Sequence, residues 1–343
     1  KGRWLSIWLH TLGAKVFGIS NSIPTNPSNF NACKLDNKLI DYRANICNLE
    51  DIKEIINEIK PDFIFHLAAQ SLVKAAYEDP LSTWQTNTLG TVAVLESLKS
   101  ISNECISIFI TSDKCYENLE WDWGYREIDR IGGIDPYSAS KGGAELAINS
   151  YSKCFFKEGG IKVGIGRAGN VIGGGDWSPH RLVPDCMKSW SKDERVFIRN
   201  PDSTRPWQHV LEPLSGYLLL ASRLYLNQEL RGEAFNFGPP ASQNFNVMRV
   251  VKEMSKYWDK VKWETTKNRS FDESGLLKLN CDKALSKISW EPVWNFNETI
   301  YYTVEWYKKF YLNEDDISQL TLNQITHYTN SAIAKGLTWT NAK

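Results

Sequence analysis

The sequence predicts an α/β protein: a doubly wound parallel sheet with a smaller C-terminal lobe interleaved into its end. Three observations carry that expectation. Apolar strand patterns and helical stripes alternate from residue 3 to about residue 175. Two of the strands, "FIFHLAA" and "CISIFIT", are unbroken apolar runs, as expected of strands covered on both faces. Polar residues with chemical potential follow the second run directly, at the edge where open parallel sheets bind ligands.

Taken in order, residues 3–12 read as a helix and 15–19 as a strand, followed by a polar loop from Ser20 to Asn31. Ile52, Ile55, Ile56 and Ile59 form a helical stripe over 51–59, and Pro61 ends it. "FIFHLAA" is the next strand. Trp84, Val92, Leu95 and Leu98 mark a helix, and "CISIFIT" follows as a strand. Pro136 opens a long helix with Ala144, Ala147, Ile148, Tyr151 and Phe155 on one face, and "KVGIGRA" is a further strand. After about residue 175 the elements shorten, with helices at about 210–226 and 297–312. The expected division is a sheet domain over 1–175, joined by later segments at about 205–240, and a lobe mainly within 176–343.

The bulk numbers narrow the function. With 343 residues and 42% apolar content the chain can bury a large core. Lys plus Arg equals Asp plus Glu at 40 each, which argues against binding nucleic acid or an anionic membrane mainly by charge. The seven cysteines are odd in number and form no C-x-x-C pair, a pattern of reduced, cytoplasmic usage without a metal site. No apolar run approaches the roughly 20 residues of a membrane span. "WLSIWLHTLGA" reads as helix, stop and strand rather than as a leader, because His10, Thr11 and Gly13 interrupt it.

Two motifs carry chemistry. In "TSDK" a hydroxyl, an acid and an amine (Ser112, Asp113 and Lys114) stand together where an apolar strand stops. A surface turn is the competing reading, since polar residues normally close strands. In "DPYSASKGGAEL" Tyr137 and Lys141 are four apart and share a helix face. A phenol has a reference pKa near 10, and a neighbouring ammonium favours its ionised form. Such a pair can take a proton from a sugar hydroxyl while hydride leaves the same carbon.

These motifs occur in order with "PDFIFHLAAQSLV", "NTLGTVAVLE", "WGYRE", "RAGNVIGGGDW", "RLVPD", "RPWQHVLEPLSGYL" and "FNFGP". On those stretches, from Gly2 to about residue 330, the chain resembles the extended short-chain dehydrogenase/reductases that modify nucleotide-diphosphate sugars. Within them it is similar to the 4,6-dehydratases of CDP-glucose, which have Ser-Asp-Lys where dTDP-glucose enzymes have Thr-Asp-Glu. The resemblance implies a Rossmann-like fold, NAD as cofactor and a CDP-glucose substrate. It assigns Ser112 to the Tyr137 hydroxyl network and Asp113 and Lys114 to removal of water from the sugar, a step in which we assign Lys114 as the base at C5 and Asp113 as the acid at C6. It implies cofactor contacts at Gly2, Asn45, Ala68, Ala69, Asn87, Ser112, Tyr137, Lys141 and Arg167. It implies substrate contacts at Asn170, Arg181, Arg205 and His209, with Arg205 the first candidate for the diphosphate and Arg181 the second. Asn45 departs from the family's carboxylate, so an amide carbonyl would have to accept from the adenine amino group.

Other expectations remain open at this point. The chain opens at "KGRWL", already at the head of a helix, with at most Gly2 of the expected Gly-rich turn. The natural N-terminus is therefore expected to be missing, and weak cofactor binding is expected with it. The family implies a homodimer or homotetramer built on helices near 82–100 and 137–157. A sibling nucleotide-sugar epimerase or dehydratase and a catalytically silent binding protein are the competing functions; Lys114 argues against the epimerase, which has no elimination to perform. "VIGGGDW" reads as a turn before a phosphate loop, and His66 as a core histidine.

Overall fold

A computed structural model of the chain describes residues 1–266 and 275–340. Helix α1 (Gly2–Thr11) leads to β1 (Phe17–Ile19), the short α2 (Asn29–Ala32) to β2 (Ile40–Tyr42), and α3 (Leu49–Ile59) to β3 (Phe63–His66). Then come α4 (Val73–Glu78) and α5 (Pro80–Trp84), which runs through a π-helical turn at Gln85–Leu89 into α6 (Gly90–Leu98). Strand β4 (Cys105–Ile110), helix α7 (Pro136–Cys154) and strand β5 (Ile161–Arg167) complete the alternating half.

The second half holds β6 (Val171–Ile172), α8 (Leu182–Trp190), β7 (Val196–Ile198), β8 (Thr204–Arg205), β9 (Gln208–His209) and α9 (Leu211–Leu226). It continues with β10 (Ala234–Asn236), β11 (Phe245–Asn246), α10 (Val247–Met254) and β12 (Trp263–Thr265), and ends with α11 (Asp282–Ile288), α12 (Phe296–Leu312) and α13 (Ile317–Ala334).

The central sheet is parallel, in the order β10-β5-β4-β3. Strand β10 comes from the second half yet pairs Asn236 with Arg167 of β5, which is the interleaving the sequence predicted. All six residues of β4 are buried. Its alternate side chains serve two cores. Ile106, Ile108 and Ile110 face Tyr217, Leu220 and Leu224 of α9 on one side. Cys105 and Phe109 face Val94, Leu95, Leu98 and Ile148 of α6 and α7 on the other. Parallel strands sandwiched between helices explain why this segment is apolar without alternation.

Three expectations need correction. Strand β3 is not covered on both faces: it is an edge of the four-stranded sheet, Phe63 is 46% exposed, and only His66 of the strand is buried. Strands β1 and β2 form a separate parallel pair rather than extending that sheet. On α7 the apolar face holds at Ala144 and Ile148, but Phe155 stands exposed at the helix end. Helix α13 is an addition: its buried side mixes Ile317, Leu320, Ile325 and Tyr328 with Thr321 and Gln324, so its apolar stripe is too broken to read from the sequence. Among the described residues, no helix is long and apolar enough to cross a membrane.

Candidate active site

The site begins where β4 stops. Thr111 N–H still donates to Gly166 O at 3.0 Å, continuing the pairing with β5. Ser112 is extended, and Asp113–Cys115 then makes a single 3₁₀ turn. Ser112 Oγ accepts from the Lys114 backbone N–H at 3.2 Å and donates to Asp113 Oδ1 at 2.9 Å. The turn removes the difficulty that strand alternation would point neighbouring side chains apart. Asp113 is 2% exposed, and its Oδ2 has no hydrogen-bond partner. Its carboxylate fits only because residue 169 is glycine: a Cβ there would lie 1.8 Å from Oδ2. The Lys114 side chain is half-buried.

Helix α7 brings the second motif to the same edge. Asp135 caps it by accepting from Ser138 N–H at 3.0 Å, and Pro136 occupies the first turn. Tyr137 and Lys141 follow on one face, both buried. Burial pushes the Tyr137 phenol up to about 12; the Ser112 hydroxyl beside it opposes the rise, while the Asp113 carboxylate adds to it. Lys141 is not among the main influences on it, the one cation that lowers it being Arg181, so the expected help from Lys141 is not seen and the phenol of the free protein is protonated at neutral pH. Burial pushes the Lys141 ammonium down to about 8, against the pull of Glu145 one turn further on. Its Nζ reaches Ile110 O at a long 3.5 Å. An ammonium with one weak partner keeps donors for a vicinal diol, so these residues fit the ribose and nicotinamide end of a dinucleotide.

Several predicted contacts have other partners. Arg167 makes four hydrogen bonds: Nε and Nη2 to the Glu145 carboxylate at 2.8 and 2.9 Å, and Nη1 to Tyr116 OH at 2.7 Å and Glu127 O at 3.1 Å. Four of its five donors are engaged, so the expected cofactor contact becomes a brace behind Lys141. Asn87, in the π-helical turn, accepts from Gln70 N–H at 2.8 Å and donates to Gln70 O and Ser140 Oγ, both at 2.9 Å. It ties the loop after β3 to α7 and has no amide hydrogen left for a ligand. Asn45 Oδ1 accepts from Cys47 N–H at 3.0 Å, in the turn that leads into α3. Ala68 and Ala69 lie half-buried in the loop after β3, and Gly2 is exposed at the head of α1.

The substrate candidates also divide. Arg181 reaches from the start of α8 to Asp176 Oδ2 and to Ser71 Oγ, each at 2.9 Å, so it bridges the lobe to the loop after β3. Arg205 is buried, with Nη1 on Thr204 O at 2.8 Å and on Gly275 O at 3.3 Å. Asn170 follows β5 in the left-handed region, φ 40°. His209 is fully buried between the Trp4 and Trp294 rings, at 5.7 and 4.8 Å between centroids, and burial holds it neutral with a pKa near 3. It sits as a core histidine, with Nδ1 accepting from Leu211 N–H at 3.3 Å and Nε2 without a partner. His66 is a core histidine too, bonded through Nε2 to Thr91 Oγ1 at 3.1 Å. The glycines of "VIGGGDW" serve packing: a Cβ at Gly174 would lie 2.0 Å from the Trp306 ring. Trp207 donates to Phe245 O at 2.9 Å and Trp177 to Tyr311 OH at 3.0 Å, Trp121 stacks on Tyr125, and Trp123 is exposed.

Residues the sequence did not single out complete the setting. Gly169 makes room for Asp113, Glu145 anchors Arg167, and Tyr217 of α9 lies close enough to Asp113 and Tyr137 for both to act on its phenol. Glu145 was legible in principle, four residues after Lys141 on the same face; nothing local marks the other two. Among the described residues no group of His, Cys, Asp and Glu could hold a metal ion.

Comparison with known proteins identifies the family. The family model described as GDP-mannose 4,6 dehydratase matches residues 1–303. The chain is 44% identical over 321 residues to CDP-glucose 4,6-dehydratase of Salmonella typhimurium, covering 92% of this chain and 89% of that protein. It is 25% identical to UDP-glucose 4-epimerase of Mycoplasma genitalium over 79% of this chain and 82% of that one. Among solved structures, the dTDP-glucose 4,6-dehydratase DesIV of Streptomyces venezuelae, with NAD and DAU bound, superposes with a TM-score of 0.75 at 19% identity, covering 89% and 92% of the two chains. At that identity the structural likeness establishes the fold, and the sequence match establishes the kinship: the chain belongs to the GDP-mannose 4,6-dehydratase family of the extended short-chain dehydrogenase/reductases.

Proposed function

We propose that the chain is an NAD-dependent hydro-lyase that converts CDP-glucose to CDP-4-keto-6-deoxyglucose. One observation carries the reading: an acid and an amine at the end of β4, Asp113 and Lys114, stand at the same edge as the buried Tyr137–Lys141 pair. Oxidation at C4 needs only the second pair; removing water needs a further acid and base. An epimerase would leave the first pair without work. The match to the Salmonella dehydratase supports CDP-glucose as the substrate.

A bound NAD would supply the hydride acceptor for C4 and the hydride donor for C6, and its positive ring would favour the phenolate. Tyr137 receives the C4 hydroxyl proton, with the Ser112 hydroxyl beside it. Lys141 holds the ribose and adds positive charge near the phenol. The ketone at C4 acidifies the C5 hydrogen. Lys114 takes that proton, Asp113 protonates the C6 hydroxyl, the C6–O bond breaks and water leaves, and the electron pair becomes a C5–C6 double bond. Hydride delivered to C6 and the proton passed back from Lys114 to C5 complete the product, and the proton taken up at Tyr137 replaces the one Asp113 gave to water, so the cycle is balanced in protons and redox-neutral.

Arg205 and Arg181 are the candidates for the diphosphate, although both also serve the fold. We place the protein in the cytoplasm, in keeping with its free cysteines. We also infer a homodimer or homotetramer through α5–α6 and α7, where Leu81, Trp84, Leu89, Leu146 and Phe155 are exposed. The deciding experiment incubates the protein with NAD and CDP-, dTDP- or GDP-glucose and follows the 4-keto-6-deoxy product. Formation from CDP-glucose is expected; turnover of another nucleotide sugar with none of CDP-glucose would overturn the substrate assignment.

A further inference from the structure

Of the buried oxygens near the site that have no partner, which also include Gln208 Oε1, two come from opposite sides. One is Asp113 Oδ2, described above. The other is the hydroxyl of Tyr217, whose side chain is 0% exposed on α9. The Tyr217 ring is tightly located. A Cβ at Gly166 would lie 2.7 Å from it, so the ring rests directly on β5 at that residue. Gly166 is the register partner of Ile110 and accepts from Thr111 N–H at 3.0 Å. The ring therefore lies against the strand end that leads into Ser112 and Asp113. Phe237 holds it edge-on at 5.5 Å between centroids, and Gly216 gives Phe237 the space it needs.

The rest of that helix face is hydrocarbon, since Leu214, Leu220, Ala221 and Leu224 are all buried, and Lys1 Nζ stands over the Tyr217 ring at 6.0 Å from its centroid. Packing alone would be served by phenylalanine. A hydroxyl buried without a partner is unfavourable, so its presence calls for a partner acquired in the working enzyme. The fields of Asp113 and Tyr137 both reach the Tyr217 phenol.

We propose that Tyr217 is a positioning residue for the elimination, its phenolic O–H donating to Asp113 Oδ2. The inference rests on the dehydratase reading above. Ser112 donates to Oδ1 and Tyr217 to Oδ2. As Asp113 gives its proton to the C6 hydroxyl and the C6–O bond breaks, the carboxylate left behind is held at both oxygens. The electron pair of the C5–H bond forms the double bond, the C5 proton goes to Lys114, and water departs. The Tyr217 proton is not transferred; it stabilises charge that develops only in the transition state.

The test is Tyr217→Phe, which keeps the ring against Gly166 and Phe237. Turnover of CDP-glucose should fall roughly ten- to hundredfold with KM unchanged, as for a lost transition-state contact. In a single turnover the absorbance of the reduced cofactor should rise at the wild-type rate and decay more slowly, because oxidation is intact and elimination is not. With CDP-6-deoxy-6-fluoroglucose, whose leaving group depends less on a proton donor, the deficit should shrink to about twofold or less. The melting temperature should hold or rise. Wild-type turnover in the variant, an undiminished deficit on the fluoro substrate, slowed cofactor reduction or a lowered melting temperature would each overturn the proposal. Wild-type protein inactive on CDP-glucose would instead bring down the dehydratase reading and this inference with it.

Discussion

Lys141 and Glu145 sit one turn apart on the buried face of the same helix, and they live in opposite circumstances. Glu145 is saturated: both carboxylate oxygens accept from Arg167, and Thr111 Oγ1 donates to one of them. Arg167 in turn reaches Tyr116, whose hydroxyl donates to Asn236 at 2.8 Å, tying α7, β5 and β10 together. Lys141 has a single long contact, and its neighbours at the rim, Asp113 Oδ2 and the Tyr217 hydroxyl, have none. Paired burial holds the scaffold. Unpaired burial costs stability; at this rim a ligand and a reaction can use the groups that bear it, although unpartnered buried atoms also occur away from the site, as at Thr303 Oγ1. The difference separates structural from functional charge more cleanly than residue type does.

Four substitutions would break or sharpen this comparison. The largest effect belongs to Lys114→Ala: turnover should fall by up to about 10⁴-fold, roughly 5 kcal/mol in barrier, with cofactor affinity unchanged by titration calorimetry. Next is Glu145→Gln. It strands the buried Arg167 charge, and denaturant unfolding should show a loss of about 3–5 kcal/mol. If it proves neutral, the saturated cluster is not the brace described here.

Lys141→Met should act in the other direction. Its folded pKa near 8 lies below the ordinary 10.5, so at neutral pH the buried ammonium costs up to about 3 kcal/mol. The variant should therefore be inactive but more stable at pH 7. Between about 8 and 10.5 the unfolded wild type binds more protons at this position than the folded one, so wild-type stability gains and the gap closes. Thermal melts of both proteins across that range would show it; a variant less stable than wild type at pH 7 would contradict the argument. The smallest effect is expected from Gly169→Ala. The new methyl must displace the Asp113 carboxylate, so turnover should drop roughly ten- to hundredfold while the melting temperature moves little.

Much of the arrangement was legible in the sequence for local reasons. Period and punctuation placed the helices at 51–59, 210–226 and 297–312 within a few residues. Tyr137 and Lys141 share a face because helix geometry puts residues four apart together. What failed, failed over distance. The edge position of β3 depends on strand order, and no property of "FIFHLAA" reports that. Arg167 looked available because Glu145 and Tyr116, its partners, lie 22 and 51 residues away. His209 looked functional in "RPWQHV", and two tryptophans from remote helix and loop made it core.

Sequence alone determined the order of elements, the two reactive motifs and the family, since each rests on periodicities and neighbours within a turn or two of chain. Only the tertiary structure decided which buried groups are satisfied. Whether Asp113 Oδ2 or the Tyr217 hydroxyl finds a partner depends on Gly166, Gly169 and Phe237, brought in from two separate stretches of chain. Hydrogen bonds and burial are made in space, so a charge that supports the fold and a charge that waits for a substrate can be written with the same letters.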